Sequence, residues 1–360
     1  MKKVVTVIGA RPQFVKAAVL SRIIKEYNTI EEVIIHTGQH FDANMSAIFF
    51  EEMMIPRPAY NLEVNSMSHG AMTGQMMEKI EKVLEIEQPD ALIVYGDTNS
   101  TIAGALTAKK MNIKVVHIEA GLRSYNMKMP EEINRIVTDR ISDLLSCPTE
   151  TAIDNLRKEG FDNLPILIER HGDIMKDAVR YYGQFSANKS SIIKDQKLEK
   201  NEFVLATIHR QENTEDITKL TAIFQALEKI HKTQTVILPI HPRTNEVLKK
   251  LEIHPKIHFI DPVGYYDMLE LLKNCSMVIT DSGGLQKEAF FNKKQCIVVR
   301  EETEWVELVA HGFAKVVGSN TKNILQTFDT YKEMKKDFSV ELYGTDVGLK
   351  IYQSIYQLIH

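Results

Sequence analysis

Short apolar segments alternate with segments of helical periodicity along most of the chain. In the first half, buried strands are predicted at residues 4–8, 32–36, 91–95, 115–118 and 144–147. Apolar side chains recur at helical spacing between them, as in residues 14–27, 74–87 and 101–110. Strands that alternate with helices in this way are typical of a doubly wound parallel sheet.

The same pattern starts again in the second half of the chain. Further strands are predicted at residues 203–208, 235–240, 257–260, 277–280 and 295–299. We therefore expect an α/β protein with two Rossmann-like domains that face each other across a cleft. The predicted N-terminal domain is 1–171 and the predicted C-terminal domain is 172–345. Residues 346–360 are expected to form a helix that packs back on the N-terminal domain.

The charge balance and the apolar runs exclude several classes of protein. The 360 residues include 44 lysines and arginines and 48 aspartates and glutamates, a net charge of −4, which argues against a nucleic-acid partner. No apolar run approaches the ~20 residues that span a bilayer, and residues 9–12 interrupt the apolar start too early for a signal peptide. Cys147, Cys275 and Cys296 have no paired spacing. We expect buried thiols, no membrane partner and a cytoplasmic location.

Ligands of open parallel sheets bind beyond the carboxyl ends of the strands, so the residues after each strand are candidates for function. The first strand runs into Gly9-Ala10-Arg11-Pro12-Gln13, a glycine turn that opens a helix containing Lys16. Arg11 and Lys16 suit a bound anion, although ordinary solvated helix charges would give the same pattern. The GxGxxG motif occurs nowhere in the chain, so a nicotinamide cofactor lacks its usual binding loop.

Acidic side chains follow two later strands of the first half. Asp97 comes after residues 91–95, and Glu119 comes after residues 115–118. Because the carboxyl ends of parallel strands share one edge of the sheet, the two acids are candidates for acid–base chemistry. The alternative is that Asp97 caps the helix that begins near Thr101.

A predicted helix that begins at Pro130 carries Glu131 and Arg135 one turn apart. An exposed ion pair explains this spacing, and so does a position of Glu131 beside a substrate. We expect the apolar Ile133 and Ile136 to bury the other side of the helix.

The second half offers a basic turn after its first strand. His209 and Arg210 follow residues 203–208, and His241 with Arg243 repeats the arrangement after residues 235–240. A histidine–arginine pair at a strand end fits pyrophosphate contact or proton transfer, whereas a lone histidine is more often structural.

A candidate phosphate-binding turn follows residues 277–280. Ser282, Gly283 and Gly284 come where a strand ends and a helix begins, and Glu288 lies just inside that helix, where it would reach ribose hydroxyls. Two glycines permit close backbone approach to a phosphate. The alternative is a plain strand-to-helix turn.

Motifs of metal enzymes and serine hydrolases do not occur in the chain. There is no HExxH, no cysteine–histidine cluster, no GxxxxGK[ST] loop and no GxSxG. We therefore expect no metal and no cofactor.

Taken together, these segments resemble the non-hydrolysing UDP-N-acetylglucosamine 2-epimerase family over essentially the whole chain. The segments that carry the resemblance are Gly9-Ala10-Arg11-Pro12-Gln13, His36-Thr37-Gly38-Gln39-His40, Tyr95-Gly96-Asp97-Thr98, His117-Ile118-Glu119-Ala120-Gly121-Leu122-Arg123, Pro130-Glu131-Glu132-Ile133-Asn134-Arg135 and Asp281-Ser282-Gly283-Gly284. The resemblance implies a GT-B fold. The acid–base roles that it implies fall on Asp97, Glu119, Glu131 and His209. The UDP-sugar contacts that it implies fall on Arg11, Lys16, Arg135, Arg210, Tyr265, Ser282, Gly283, Gly284, Glu288 and Arg300.

The resemblance also implies the reaction. We expect conversion of UDP-N-acetylglucosamine to UDP-N-acetylmannosamine by elimination and re-addition of UDP, in a homodimer that supplies surface polysaccharide precursors. The alternative substrate is UDP-2,3-diacetamido-2,3-dideoxyglucuronate. A hydrolysing 2-epimerase, a GT-B glycosyltransferase and a catalytically silent nucleotide-sugar sensor are the competing classes.

Two segments depart from the pattern of common bacterial members. Residues 302–307, Glu-Thr-Glu-Trp-Val-Glu, stand where those enzymes have Thr-Thr-Glu-Arg-Pro-Glu, and resemble archaeal members and those acting on the diacetamido uronate. Residues 41–44, Phe-Asp-Ala-Asn, replace the arginine-containing segment of members that their substrate activates allosterically. The choice of sugar and allosteric activation therefore stay open.

Overall fold

The computed structural model describes residues 1–39 and 50–360 of the chain. They form two compact units, one of Met1–Ala178 with Glu341–His360 and the other of Val179–Val340. His40 and residues 41–44, on which part of the sequence comparison rests, lie outside the described residues. The sequence predicts a first boundary after residue 171, and the structure divides after Ala178, inside a continuous helix that no linker composition marks.

Parallel strands form the centre of the first unit. Within the described residues, their order is β3-β2-β1-β4-β5-β6-β7. The strands are β1 (Lys2–Ile8), β2 (Ile30–His36), β3 (Tyr60–Asn61), β4 (Ala91–Tyr95), β5 (Lys114–Ile118), β6 (Leu144–Cys147) and β7 (Leu167–Arg170). The helices are α1 (Arg11–Tyr27), α2 (His69–Glu87), α3 (Asn99–Lys110), α4 (Pro130–Ile141), α5 (Glu150–Lys158) and α6 (Ile174–Lys189).

The central strands are apolar along their length because helices cover both faces of the sheet. Every residue of β4 is buried, and Val5 of β1 lies in register with Leu92 of β4 and Val33 of β2. This packing fixes the register, so that β1, β4 and β5 deliver their following turns to one edge of the sheet.

The second unit repeats the architecture. Its described strands run in the order β10-β9-β8-β11-β12-β13 and are also parallel. They are β8 (Phe203–Thr207), β9 (Thr235–Pro239), β10 (His258–Ile260), β11 (Met277–Thr280), β12 (Cys296–Val298) and β13 (Ala314–Val316). The helices are α7 (Ile192–Asp195), α8 (Gln211–Thr214), α9 (Ile217–His231), α10 (Pro242–Lys250), α11 (Tyr265–Asn274), α12 (Gly283–Phe291), α13 (Val306–Ala310) and α14 (Thr321–Glu333).

The C-terminal helix, α15 (Val347–Ile359), belongs to the first unit and packs on α1. The Tyr352 hydroxyl lies 2.5 Å from the Thr29 hydroxyl, and the rings of Tyr352 and Tyr27 are 4.8 Å apart. A Cβ on Gly348 would lie 2.7 Å from Ile23, so glycine lets the two helices approach closely.

Helix α4 packs against the rest of its unit with its polar side. This contradicts the prediction that Ile133 and Ile136 are on its buried side. Ile133 is 43% exposed and Ile136 only partly buried. The buried residues are Glu132, Asn134, Arg135, Thr138 and Asp139. The reason is that polar groups of neighbouring turns satisfy these side chains, as the site below shows. No helix in the described ranges is long and apolar enough to cross a bilayer.

Candidate active site

The side chain of Gln13 joins the turns after β1 and β4. Its Oε1 accepts hydrogen bonds from the backbone amides of Gly9 (2.8 Å) and Ala10 (3.0 Å). Its Nε2 donates to the carbonyl of Tyr95 (2.9 Å) and lies 3.0 Å from the hydroxyl of Thr98. Gln13 is 1% exposed. Its hydrogen bonds hold the start of α1 against the turn that carries Asp97.

Lys16 and Glu119 form a buried ion pair beside this turn. The Lys16 Nζ lies 2.5 Å from Glu119 Oε1, and Glu119 itself adopts a left-handed backbone with φ of 71°. Gly96 has φ of 62°, and a Cβ there would lie 3.3 Å from the Lys16 Nζ. Burial of Lys16 excludes the alternative of a solvated helix charge.

Asp97 is held by Arg135 from α4. The Asp97 Oδ2 lies 2.7 Å from Arg135 Nη1, and the amide of Asn134 donates to the Asp97 carbonyl at 2.9 Å. Thr98, not Asp97, is the residue that caps α3, so the capping alternative for Asp97 is wrong.

The pKa of Asp97 depends on the other two predicted acids. Burial raises the pKa of Asp97, Glu131 and Glu119 raise it further, and Arg135 and Lys16 oppose the rise. The charges of the other two predicted acids and of two cations therefore all act on Asp97.

Arg135 is 2% exposed, which excludes the exposed-pair alternative for this residue. It also pairs with Glu132, whose Oε2 lies 2.8 Å from Arg135 Nη2. Although burial would raise the pKa of Glu132, hydrogen bonds from the Ser124 and Tyr125 amides and the charge of Arg135 hold it below its usual value. Glu132 thus fixes the guanidinium that holds Asp97.

In the second unit, the buried Asp281 organises the turn after β8. Its carboxylate accepts hydrogen bonds from the backbone amides of His209 (3.0 Å) and Arg210 (2.9 Å) and from the Asn213 side chain (3.1 Å). The His209 Nδ1 lies 3.4 Å from Asp281 Oδ1, and the His209 ring lies 5.7 Å from that of His241. The Asp281 carboxylate thus fixes the backbone positions of both predicted residues, His209 and Arg210.

The serine–glycine turn opens α12 as the sequence indicates. The Ser282 hydroxyl caps the helix by accepting from the Leu285 amide at 3.4 Å. A Cβ on Gly283 would overlap the carboxylate of Glu304, whereas a Cβ on Gly284 would meet no atom within 4 Å. The turn therefore presents open space at Gly284 and none at Gly283.

Arg300 ties this turn to α8. Its Nη1 donates to Glu304 at 3.0 Å, and its Nε lies 3.3 Å from Glu212. Although burial lowers the pKa of Arg300, the charges of Glu304 and Glu212 hold it above its usual value. Arg300 is therefore neutralised within its own unit.

Trp305, in the segment that departs from common bacterial members, covers a buried lysine. The Lys287 Nζ lies 3.9 Å from the centroid of the Trp305 ring, a cation–π contact. Among the remaining predicted residues, Tyr265 is buried, and burial together with Glu288 raises its pKa. Arg11 is the first residue of α1.

The described residues hold no group of three or more histidine, cysteine, aspartate or glutamate side chains that could bind a metal ion.

The family model for UDP-N-acetylglucosamine 2-epimerase matches residues 22–349 of the chain. The chain belongs to this epimerase family. The resemblance seen in the sequence motifs is therefore confirmed.

Relatives of this epimerase differ in the sugar that their names give. The UDP-2,3-diacetamido-2,3-dideoxy-D-glucuronate 2-epimerase of Pseudomonas aeruginosa is 49% identical, over 95% of this chain and 96% of that protein. The UDP-N-acetylglucosamine 2-epimerase of Methanococcus maripaludis is 43% identical, over 90% of each.

A crystal structure confirms the predicted fold class. The UDP-N-acetylglucosamine 2-epimerase of Methanocaldococcus jannaschii, in complex with UDP-N-acetylglucosamine and UDP, matches with a TM-score of 0.92 and 37% identity. The match covers 99% of this chain and 100% of that chain. Two Rossmann-like units on doubly wound parallel sheets, the GT-B type, are thus shown for this epimerase.

Sequence reasoning missed the residues that hold the predicted ones in place. Gln13, Glu132 and Asp281 stand within the motifs of this epimerase but had no role assigned to them. The sequence could have indicated them. Each is a polar residue in a buried segment close to a candidate site residue, and a buried polar side chain needs a hydrogen-bond partner.

Proposed function

We propose that this epimerase inverts C2 of a UDP-N-acetylamino sugar by eliminating UDP and adding it back. The observation that carries the proposal is a pair of ion pairs at one sheet edge, Lys16 with Glu119 and Arg135 with Asp97. The charge of Glu131 also acts on Asp97 there and raises its pKa. Inversion at carbon needs proton-carrying groups on two sides of C2, and a set of carboxylates meets that need.

The C2 proton has no neighbouring carbonyl to acidify it, so departure of UDP from C1 must assist its loss. As the C1–O bond breaks, its electron pair leaves with UDP. The electron pair of the C2–H bond becomes the C1=C2 double bond, and a carboxylate takes the proton. In the return step, UDP adds to C1 and a proton reaches C2 from the opposite face. The sum of the two steps is an inverted C2 with no net redox change.

Asp97 suits proton transfer because its raised pKa brings both protonation states closer to neutral pH. Glu119 and Glu131 complete the set, and His209 is the proposed fourth acid–base residue.

The departing UDP needs a site that stabilises a pyrophosphate. We assign this to the N-terminus of α12, where Ser282 and Gly284 leave backbone amides and open space for an anion. Arg11 and Arg210 are the proposed charge partners, and Glu288 the partner of the ribose hydroxyls. Lys16, Arg135, Tyr265, Gly283 and Arg300 complete the proposed substrate-binding residues.

Incubation with UDP-N-acetylglucosamine in D₂O tests the reaction. We expect deuterium at C2 of both epimers and no accumulation of free UDP over many turnovers. Accumulation of UDP with free N-acetylmannosamine would indicate the hydrolysing reaction. Turnover only with an added acceptor would indicate a glycosyltransferase, and either outcome would overturn the proposal.

For the sugar, we propose UDP-N-acetylglucosamine. The second candidate is UDP-2,3-diacetamido-2,3-dideoxyglucuronate, and the observation that favours it is the 49% identity with the Pseudomonas aeruginosa enzyme. A cytoplasmic location and the supply of surface polysaccharide precursors stay predictions from the sequence.

We also propose a homodimer. Ile133 on α4 and Tyr125 and Met127 just before it are large apolar side chains that are at least 43% exposed in the single chain. Neighbouring exposed apolar side chains are typical of an interface. Light scattering on the purified protein tests this, and the mass of one chain at micromolar concentration would contradict it.

A further inference from the structure

His117, at the end of β5, contacts the turn that carries Asp97. Its Nε2 lies 2.7 Å from the carbonyl oxygen of Gly96, and its Nδ1 lies 2.7 Å from Asp139 Oδ1 on α4. Neither the His117 nor the Asp139 side chain has any exposed surface. The ring is therefore cut off from bulk solvent.

Both partners of this ring are acceptors. A backbone carbonyl oxygen only accepts hydrogen bonds, and a carboxylate also accepts. A neutral imidazole has one N–H and one lone-pair nitrogen, so it would direct a lone pair at an acceptor 2.7 Å away. We propose that His117 is a buried imidazolium that donates from both nitrogens and positions the Gly96–Asp97 turn for catalysis.

The state of Asp139 supports this assignment. Its other oxygen, Oδ2, accepts from Arg123 Nη1 at 2.7 Å and from the Gly121 amide at 3.1 Å. Two donors on one oxygen, one of them a guanidinium, favour the ionised form of the Asp139 carboxyl. An ionised Asp139 has no hydrogen to donate, so the hydrogen between the two side chains belongs to His117.

His171, a second buried histidine in the same unit, shows the contrast. Its Nδ1 lies 2.9 Å from the Ser146 hydroxyl, and its Nε2 lies near the Ser354 hydroxyl and the Glu169 carboxylate. A hydroxyl donates or accepts, so a neutral ring satisfies both nitrogens here. Burial lowers the pKa of His171, in agreement with this arrangement.

The position of His117 links its state to the proposed reaction. The carbonyl that it holds belongs to Gly96, the residue before Asp97, and Glu119 follows His117 by two residues on the same chain segment. A donor to the Gly96 carbonyl therefore positions the turn that carries Asp97. His117 is a positioning residue, and this part of the inference rests on the proposed function.

Neutron diffraction from the deuterium-exchanged wild-type enzyme at neutral pH reads the protonation directly. We expect nuclear density for deuterium on both ring nitrogens of His117 and on one ring nitrogen of His171. A single deuterium on His117 would overturn the inference, whatever the enzyme's activity. Because no substrate takes part, this measurement is independent of the proposed function.

Kinetics test the positioning role. In His117→Gln we expect kcat to fall about ten- to hundredfold, the scale of misplaced catalytic groups, with the Kd of UDP nearly unchanged. His171→Gln is the matched control and should retain kcat. Equal losses in both variants, or an unchanged kcat in His117→Gln, would contradict positioning.

A double variant separates positioning from a general loss of structure. If His117 acts through the Asp97 turn, adding His117→Gln to Asp97→Asn should lower kcat by less than about twofold further. Additive losses would overturn this mechanism. If His117→Gln does not fold, Asp139→Asn replaces it in the same cycle.

Discussion

Arg135 and Asp97 join two elements that the sequence separates by a helix and a strand: their side chains meet at 2.7 Å, with the guanidinium buried. The pair explains why α4 turns its polar side inward. Arg135 needs Glu132 and Asp97 as partners, and these lie on the protein side of the helix. The apolar Ile133 is left exposed as a consequence.

Removing any one of the three acids should abolish most of the turnover. Asp97→Asn, Glu119→Gln and Glu131→Gln should each lower kcat about a hundredfold or more, the usual scale for a lost acid–base group. The Kd of UDP, measured by calorimetry, should change little because the proposed roles of the acids are at the sugar and not at the pyrophosphate. Asp154→Asn, an exposed acid on α5, is the control. Near-full turnover in Asp97→Asn would show that Asp97 only pairs with Arg135 and takes no part in catalysis.

Two variants near Asp97 should shift its pKa in opposite directions. Arg135 lowers the pKa of Asp97 and Glu131 raises it. Arg135→Gln should therefore move the Asp97 titration to higher pH, and Glu131→Gln should move it to lower pH. Carboxyl ¹³C NMR of the ligand-free enzyme measures both shifts. Shifts of the same sign in the two variants would show that Asp97 lies apart from one of these groups.

The two glycines of the α12 turn should respond differently to a methyl group. Gly283→Ala should lower the melting temperature, because its Cβ overlaps Glu304, which Arg300 holds in place. Gly284→Ala should not lower it, because its Cβ meets open space and alanine favours a helix by about 1 kcal/mol.

UDP affinity adds the functional readout. If phosphate binds at this turn, Gly284→Ala should weaken UDP binding without loss of stability. Unchanged UDP affinity in Gly284→Ala would place the phosphates elsewhere.

Glu32 on β2 should make stability depend on pH. Burial raises its pKa, while the hydrogen bond that the Thr6 hydroxyl donates to its carboxylate opposes the rise. A raised carboxyl pKa means that the folded state holds its proton longer than the unfolded state. Stability is then lost as pH rises from the unfolded pKa through the folded one. Glu32→Gln should raise the melting temperature at pH 8 more than at pH 5, unlike the exposed control Glu26→Gln. An equal change at both pH values would contradict this.

The central strands and the strand-end residues could be predicted because they rest on local patterns. Strand β4 matches its prediction at both ends, and Asp97 and Glu119 follow from parallel strands sharing one edge. The short β3, β7 and β13 were not predicted, because two to four residues give too little periodicity.

The face of α4 was predicted wrongly for a different reason. Hydrophobic periodicity finds the apolar side of a helix, but the buried side is decided by partners from distant segments. Glu132 meets the amides of residues 124 and 125, and Asp139 meets His117. Such hydrogen bonds depend on tertiary structure and leave no periodic pattern in the sequence.

The two candidate sugars differ in the charge of their C6 group, and this difference can be tested. A site for a C6 carboxylate needs a cation, and leaving that cation unpaired by a C6 hydroxyl costs on the order of one to several kcal/mol. The buried Lys16, Arg135 and Arg300 are each already matched by acids of their own unit. As far as these three cations are concerned, the neutral sugar of UDP-N-acetylglucosamine requires no ion pair to break, whereas a C6 carboxylate would compete with their acids. We therefore expect a higher kcat/KM for UDP-N-acetylglucosamine when both are measured at one ionic strength. A preference for the uronate above about tenfold would show that one of these cations is released from its acid to bind the substrate.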